Sequence, residues 1–116
     1  MLHHHRKRFF YAFHGLLIVF KEEASFRFQF VFLVLIVLLS WLFRISATEW
    51  SLVIIVSALV LVLECLNSAV ERMLNAVEPR LHGTVAMIKD ILAGAVLLAG
   101  AAAAAVGLII FLPKLF

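Results

Sequence analysis

The sequence predicts an all-α membrane protein in which an amphipathic surface helix precedes three transmembrane helices. Hydrophobic residues make up 66% of the 116 residues and charged residues only 15%, too few polar side chains to cover a soluble domain. Three apolar runs each reach the roughly 20 residues that a helix needs to span a bilayer. The polar residues within those runs are therefore candidates for function.

The first helix is expected over residues 6–22. It begins with three basic residues, and its apolar residues recur at helical spacing, as in a helix that lies in the membrane interface. These apolar residues are Phe9, Phe10, Phe13, Leu16, Leu17 and Phe20. Ser25 is expected to cap the second helix, over residues 26–45, which at about 30 Å is long enough to cross the hydrocarbon.

The third helix is expected over residues 47–78. Ser46 and Glu49 have the spacing of a capping box at its start, and Pro79 follows its end. At about 48 Å this helix exceeds the hydrocarbon thickness, so its carboxyl end should project into the headgroups or water.

The fourth helix is expected over residues 84–112, with Thr84 as its cap and Pro113 just beyond its end. Its segment 94–107 is rich in Gly and Ala, which predicts close packing against another helix.

The positions of the basic residues predict the topology, because short cytoplasmic segments collect Lys and Arg. One group falls on the side of the amino terminus: Arg6, Lys7, Arg8, Lys21, Arg27, Arg72, Arg80 and Lys89. Arg44 and Lys114 fall on the other side. We therefore expect an integral protein of the cytoplasmic membrane, with the amino terminus and the site described below at the cytoplasmic face.

Residues 64–71 (ECLNSAVE) place two carboxylates and an amide inside an apolar helix. Glu64, Asn67 and Glu71 fall within roughly 60° of one another around the helix, so they form one polar stripe. A carboxylate at membrane depth costs about 2.5–3.5 kcal/mol even on insertion scales, so this stripe should face protein, water or a ligand.

Other charged residues should lie at the same face of the membrane, namely Glu23, Lys89 and Asp90. Two carboxylates can share Mg²⁺, with waters and substrate phosphates completing its coordination, and Lys89 supplies a point charge suited to phosphate. The same residues also suit three alternatives: interfacial charges with interhelical hydrogen bonds, a proton-coupled transporter built on the embedded Glu64, and a structural subunit. No Gly-rich phosphate loop or kinase catalytic loop occurs in the sequence.

Residues 64–71, followed by residues 89–97 (KDILAGAVL), resemble the small prokaryotic integral-membrane lipid kinases, diacylglycerol kinase and undecaprenol kinase. Tyr11, Gly15 and residues 23–27 (EASFR) are similar to the amino-terminal part of that family, so the resemblance covers about residue 7 to the end. It implies a homotrimer with active sites formed between protomers, ATP as phosphate donor, Mg²⁺ as cofactor and a membrane lipid alcohol as substrate. No nucleic-acid partner is expected.

The resemblance also implies roles for individual residues. Glu64 corresponds to the catalytic base, Asn67 belongs to the same catalytic site, and Glu23 and Glu71 correspond to metal-binding carboxylates. The positions that correspond to nucleotide contacts are Tyr11, Glu23, Glu71, Arg80, Leu81, His82, Lys89 and Asp90. Ser25 and Arg27, together with Glu64, correspond to the lipid-substrate site.

Short segments of the sequence bear on which of the two kinds of lipid kinase the chain resembles more. Residues 89–97 and residues 44–50 (RISATEW) resemble the undecaprenol kinases, whereas the pair Asn67–Ser68 is more similar to diacylglycerol kinase. Phe28–Gln29 departs from the Gln-Glu pair of that enzyme, and Asn75 stands where an Asp is common. The sequence favours undecaprenol, with a diacylglycerol kinase that makes phosphatidic acid as the alternative.

Overall fold

A computed structural model of the chain describes residues 2–77 and 82–116, which form four helices and no strand. The helices are α1 (Leu2–Glu22), α2 (Ala24–Leu42), α3 (Ala47–Val77) and α4 (His82–Leu115). The last three are each long and apolar enough to cross a membrane. The predicted fold class is therefore confirmed.

Helix α3 lies between α2 and α4 and packs against both of them, and α1 contacts α2 and α3. This arrangement brings α1, the start of α2 and the second half of α3 together at one end of the bundle, called here the α1 end. The opposite end contains the α2–α3 turn, the start of α3 and the end of α4.

The junction between α1 and α2 is a single residue. Glu23 is extended, with φ −107° and ψ 107°, and its side chain makes no capping hydrogen bond. The predicted cap at Ser25 is wrong, because α2 begins at Ala24 and Ser25 lies within its first turn. Arg27 donates to the main-chain oxygens of Phe20 at 2.9 Å and Lys21 at 2.6 Å, which satisfies carbonyls at the end of α1.

Helix α2 ends at Leu42, earlier than the expected residue 45. Arg44 has φ 51°, a left-handed conformation that cannot continue a right-handed helix. Its N–H donates to the oxygen of Trp41 at 3.2 Å, which closes the turn. The turn places Ile45 in the core with 6% exposure, so burial of this side chain accompanies the unusual backbone.

Helix α3 begins as predicted. The main-chain N–H of Ser46 donates to Glu49 Oε1 at 2.9 Å, and the N–H of Glu49 donates to Ser46 Oγ at 3.2 Å. The capping box is confirmed. The helix is described as far as Val77, and its predicted last residue, Glu78, lies outside the described residues.

Helix α4 differs from its predicted bounds at both ends. It begins at His82, so Thr84 is inside the helix rather than its cap, and it continues through Pro113 to Leu115. A proline this close to the carboxyl end removes only one bond of the helix ladder. Lys114 Nζ also donates to the oxygen of Ile110 at 3.2 Å, which satisfies a carbonyl in the last turns.

The Gly and Ala segment of α4 makes only part of its possible helix contacts within the single chain. Ala99 is buried against the rest of the chain, with 5% exposure. A Cβ atom added at Gly94, Gly100 or Gly107 would, however, meet no heavy atom within 4 Å. The glycines therefore do not form a tight helix contact within one chain.

Candidate functional site

Six polar side chains in the second half of α3 each have another of the six three or four residues away. They are Glu64, Asn67, Ser68, Glu71, Arg72 and Asn75. This spacing puts them on one face of the helix, called here the α3 polar stripe. Two members of the stripe, Glu64 and Ser68, are buried, with 8% and 3% exposure.

Helix α2 supplies the hydrogen-bond partner of Glu64. Ser25 Oγ donates to Glu64 Oε2 at 3.2 Å, across 39 residues of sequence. Burial of a carboxylate is costly unless it is hydrogen-bonded, and this contact provides one bond. Among the residues that the structure describes, the other oxygen accepts none and keeps its acceptor capacity. The arrangement presents a carboxylate that can accept a proton from a bound hydroxyl group.

The α1–α2 junction brings a second carboxylate to the stripe. Ser68 Oγ donates to Glu23 Oε1 at 2.9 Å, and Arg72 Nη2 lies 3.5 Å from the same oxygen. Arg72 also donates to Ser68 Oγ at 3.3 Å and to Glu22 Oε2 at 3.4 Å. Glu23 is therefore held against the middle of the stripe.

The third carboxylate, Glu71, is oriented from within α3. Asn67 Nδ2 donates to Glu71 Oε1 at 3.4 Å. Glu71 follows Ser68 by one helical turn, so the contact between Ser68 and Glu23 places Glu23 and Glu71 along the same part of the stripe.

The start of α4 brings a cation to the end of the stripe. Lys89 Nζ donates to Asn75 Oδ1 at 3.4 Å, and the neighbouring Asp90 is exposed. Hydrogen bonds therefore connect Ser25 of α2, Glu23 of the α1–α2 junction and Lys89 of α4 to the α3 polar stripe, which contains Glu64. All four residues are predicted site residues.

The contacts described above do not include several other predicted site residues. Tyr11 is 65% exposed on α1, where its ring packs edge-on against Phe10 at 6.0 Å. Arg27 is engaged with carbonyls of α1. Arg80 and Leu81 lie outside the described residues, as does the side chain of His82, whose backbone begins α4.

The carboxylates of the site suit a hard divalent cation. In the two described ranges, no three His, Cys, Asp or Glu side chains are grouped as a metal-binding cluster. Glu23 and Glu71 provide two carboxylates on adjacent elements, and Mg²⁺ usually takes only one or two, with waters and substrate phosphates as its other ligands. The donor set therefore fits Mg²⁺ bound together with a nucleotide.

An apolar cleft of about 640 Å³ begins one helical turn beyond the contact between Ser25 and Glu64. Gln29 and Leu61 line it at this level, and its lining continues along α2, α3 and α4 to Leu115. Gly100, Ala104 and Gly107 are also among its lining residues. The small residues of α4 thus leave room in an apolar cleft next to a buried carboxylate.

Sequence reasoning did not assign Ser68, Arg72 or Asn75 to the site, although each contacts a predicted site residue. Arg72 follows Ser68 by four residues, so helical spacing places it on the same face as the rest of the stripe. Its partners Glu22 and Glu23 could not be identified in the same way, since they precede it by 50 and 49 residues.

Comparison with known proteins identifies the family of the chain. The sequence model of the family described as prokaryotic diacylglycerol kinase matches residues 10–111. Undecaprenol kinase from Bacillus subtilis is 29% identical over 109 residues, which cover 94% of this chain and 89% of that enzyme. Diacylglycerol kinase from Synechocystis sp. is 34% identical over 108 residues, which cover 92% of this chain and 62% of that enzyme.

The match to the family covers α2 and α3 as described and nearly all of α4, and so includes the α3 polar stripe and its partners. The chain belongs to the prokaryotic diacylglycerol kinase family and is an integral-membrane lipid kinase.

Proposed function

We propose that the protein transfers the γ-phosphoryl group of ATP to the terminal hydroxyl of a membrane lipid alcohol, with undecaprenol as the preferred substrate. The observation that carries the proposal is the position of Glu64. Its carboxylate is 8% exposed, accepts a hydrogen bond from Ser25, and lies one turn from an apolar cleft that suits a hydrocarbon chain.

In the proposed reaction the lipid hydroxyl loses its proton to Glu64 as its oxygen bonds to the γ-phosphorus, and ADP leaves with the bridging oxygen. Phosphoryl transfer asks mainly for positioning and charge neutralisation, which a small helical scaffold can supply. Bound Mg²⁺ would supply charge neutralisation on the phosphates.

The remaining residues act on position and charge. Glu23 and Glu71 would hold the metal, Asn67 orients Glu71, and Lys89 supplies a positive charge for the nucleotide phosphates. Since Glu23 and Lys89 reach the stripe from outside α3, the site forms only when the bundle is assembled.

The preference for undecaprenol is supported by residues 44–50 and 89–97 and by the similarity to the enzyme from Bacillus subtilis. The similarity to the cyanobacterial diacylglycerol kinase keeps diacylglycerol as the alternative substrate. A long apolar cleft accommodates either lipid tail, so the choice needs a direct assay.

The deciding experiment is a side-by-side assay of the purified protein with radiolabelled ATP and either undecaprenol or diacylglycerol in mixed micelles. We expect label in both lipids to depend on Mg²⁺ and the higher kcat/KM to be with undecaprenol. A higher value with diacylglycerol would reverse the substrate assignment. No label in any lipid would contradict the kinase and favour the transporter or the structural subunit instead.

We propose that the active assembly is a homotrimer in the cytoplasmic membrane, with its amino termini and active sites at the cytoplasmic face and each site completed by neighbouring protomers. Large apolar side chains such as Trp41 and Leu97 are 76% and 74% exposed on the single chain, so lipid or further protomers must cover them.

The test of the shared site mixes inactive Glu64→Gln protomers with inactive Lys89→Ala protomers under conditions of subunit exchange. Recovered activity is expected if the two residues serve one site from different chains, and no recovery after demonstrated exchange would exclude such sharing.

A further inference from the structure

Two donors, Ser68 and Arg72, converge on one oxygen of Glu23. Ser68 Oγ donates to Glu23 Oε1 at 2.9 Å, and Arg72 Nη2 approaches the same atom at 3.5 Å. Within the described ranges, Glu23 Oε2 accepts no hydrogen bond. One oxygen of the carboxylate is therefore held by protein, and the other keeps its full capacity for a ligand.

Arg72 also determines the direction of the Ser68 hydroxyl. Arg72 Nε donates to Ser68 Oγ at 3.3 Å, and guanidinium nitrogens donate only. The serine oxygen accepts from Arg72 and its proton is directed to Glu23. Since Ser68 is 3% exposed, water does not readily replace either contact. The three residues form a short relay, Arg72 to Ser68 to Glu23.

Glu23 needs such a relay because its backbone gives it little restraint. It is the one extended residue between two helices and makes no side-chain capping bond. Its side chain is one-third exposed and could otherwise take several rotamers in the headgroup region. Orienting partners of metal-binding carboxylates are typically worth about 10–100-fold in metal affinity.

We infer that Arg72 is a positioning residue that acts through Ser68 to fix Glu23 by one oxygen and present the other to the nucleotide-bound metal. The inference rests on the proposed function, in which Glu23 is a metal ligand. A purely structural role would instead run through Glu22, whose Oε2 lies 3.4 Å from Arg72 Nη1 and which would only fasten the α1–α2 junction to α3.

The test measures Mn²⁺ binding rather than turnover. Free Mn²⁺ is titrated by electron paramagnetic resonance against the detergent-solubilised protein with a non-hydrolysable ATP analogue. The variants are Glu23→Gln, Arg72→Gln and their double mutant, with Ser68→Ala as a second way to break the relay. Glu22→Gln is the matched control, because it removes the other partner of Arg72 and leaves the relay intact.

We expect Arg72→Gln and Glu23→Gln each to raise the Kd for Mn²⁺ by about tenfold, and Ser68→Ala by about threefold. The double mutant should be no weaker than Glu23→Gln alone, because both changes act through one carboxylate. Glu22→Gln should stay within about twofold of the unmodified protein. Thermal unfolding of every variant separates a loss of fold from a loss of binding.

The outcomes distinguish the inference from the proposed function. If Glu23→Gln weakens Mn²⁺ binding and Arg72→Gln does not, the inference fails and the metal assignment stands. If Glu22→Gln weakens binding as much as Arg72→Gln, or the double mutant shows additive losses, Arg72 is only structural. If Glu23→Gln leaves binding unchanged, the metal assignment fails and the inference fails with it.

Discussion

The two ends of the helical bundle use charged residues in different ways. At the end opposite α1, Glu49 accepts from the main-chain N–H of Ser46 with one oxygen and from Lys114 Nζ with the other, both at 2.9 Å. At the α1 end, Glu64 and Glu23 each use only one oxygen in the hydrogen bonds of the described residues, in contacts with Ser25 and Ser68.

The difference separates carboxylates that stabilise the fold from carboxylates that remain available to a ligand. Both oxygens of Glu49 serve to begin α3 and to join it to the end of α4. Among the described residues, the remaining oxygens of Glu64 and Glu23 have no such structural use, and Glu64 is buried as well. Substitutions at the α1 end should therefore affect turnover first, and substitutions at the opposite end should affect stability alone.

The largest expected effect is that of Glu64→Gln. The amide keeps the shape of the side chain but cannot accept the hydroxyl proton, so kcat should fall by about 100-fold or more. The protein should stay folded, because a neutral group at that depth is no more costly than a carboxylate. The measurements are lipid phosphorylation and thermal unfolding in detergent, and near-normal turnover would contradict the assignment of Glu64 as the base.

The next effects should come from Glu23→Ala and Glu71→Ala. Each should raise the Mg²⁺ concentration for half-maximal activity by about tenfold or more, since one carboxylate holds a hard cation less well than two. The double mutant should lose less than the sum of the two free energies, because both residues act through one ion. A simple sum in Mg²⁺ titrations would mean that the two carboxylates do not share a metal.

A smaller effect is expected for Ser25→Ala, which removes the hydrogen bond from Ser25 Oγ to Glu64 Oε2. Because Ser25 is exposed and water can replace its hydroxyl, kcat should fall only about three- to tenfold, less than the loss of a water-excluded bond to a charged group would cause. Ser51→Ala is a matched control, since the Ser51 hydroxyl donates within α3, to Ala47 O at 3.0 Å. Equal turnover of the two variants would show that Ser25 does not assist Glu64.

The smallest effect on turnover is expected for Ser46→Ala. This change removes the capping hydroxyl from the start of α3 and should lower the free energy of unfolding by about 1 kcal/mol. Phosphorylation of lipid should be unchanged at a temperature where the protein is folded. A loss of turnover without a loss of stability would mean that the two ends of the bundle are coupled in catalysis.

The features that the sequence predicted correctly are those set by near neighbours in the chain. The apolar runs can be recognised from consecutive residues. The capping box at Ser46 and Glu49 and the spacing of Glu64, Asn67 and Glu71 each involve residues within about two helical turns. A helix converts such spacing into a shared face without help from the rest of the fold. The helical class, the three helices able to span a membrane and the polar stripe therefore follow from local sequence patterns.

The features that sequence reasoning missed depend on distant residues. Helix α2 ends early because Arg44 takes a left-handed backbone, a conformation usual for glycine, in a turn that buries Ile45. The carboxylate partners of Ser25 and of Arg72 lie 39 to 50 residues away in the sequence, so no local pattern identifies them. Residue type and helical spacing by themselves determined which groups could act, and the packing of α1 and α2 against α3 decided which of them meet.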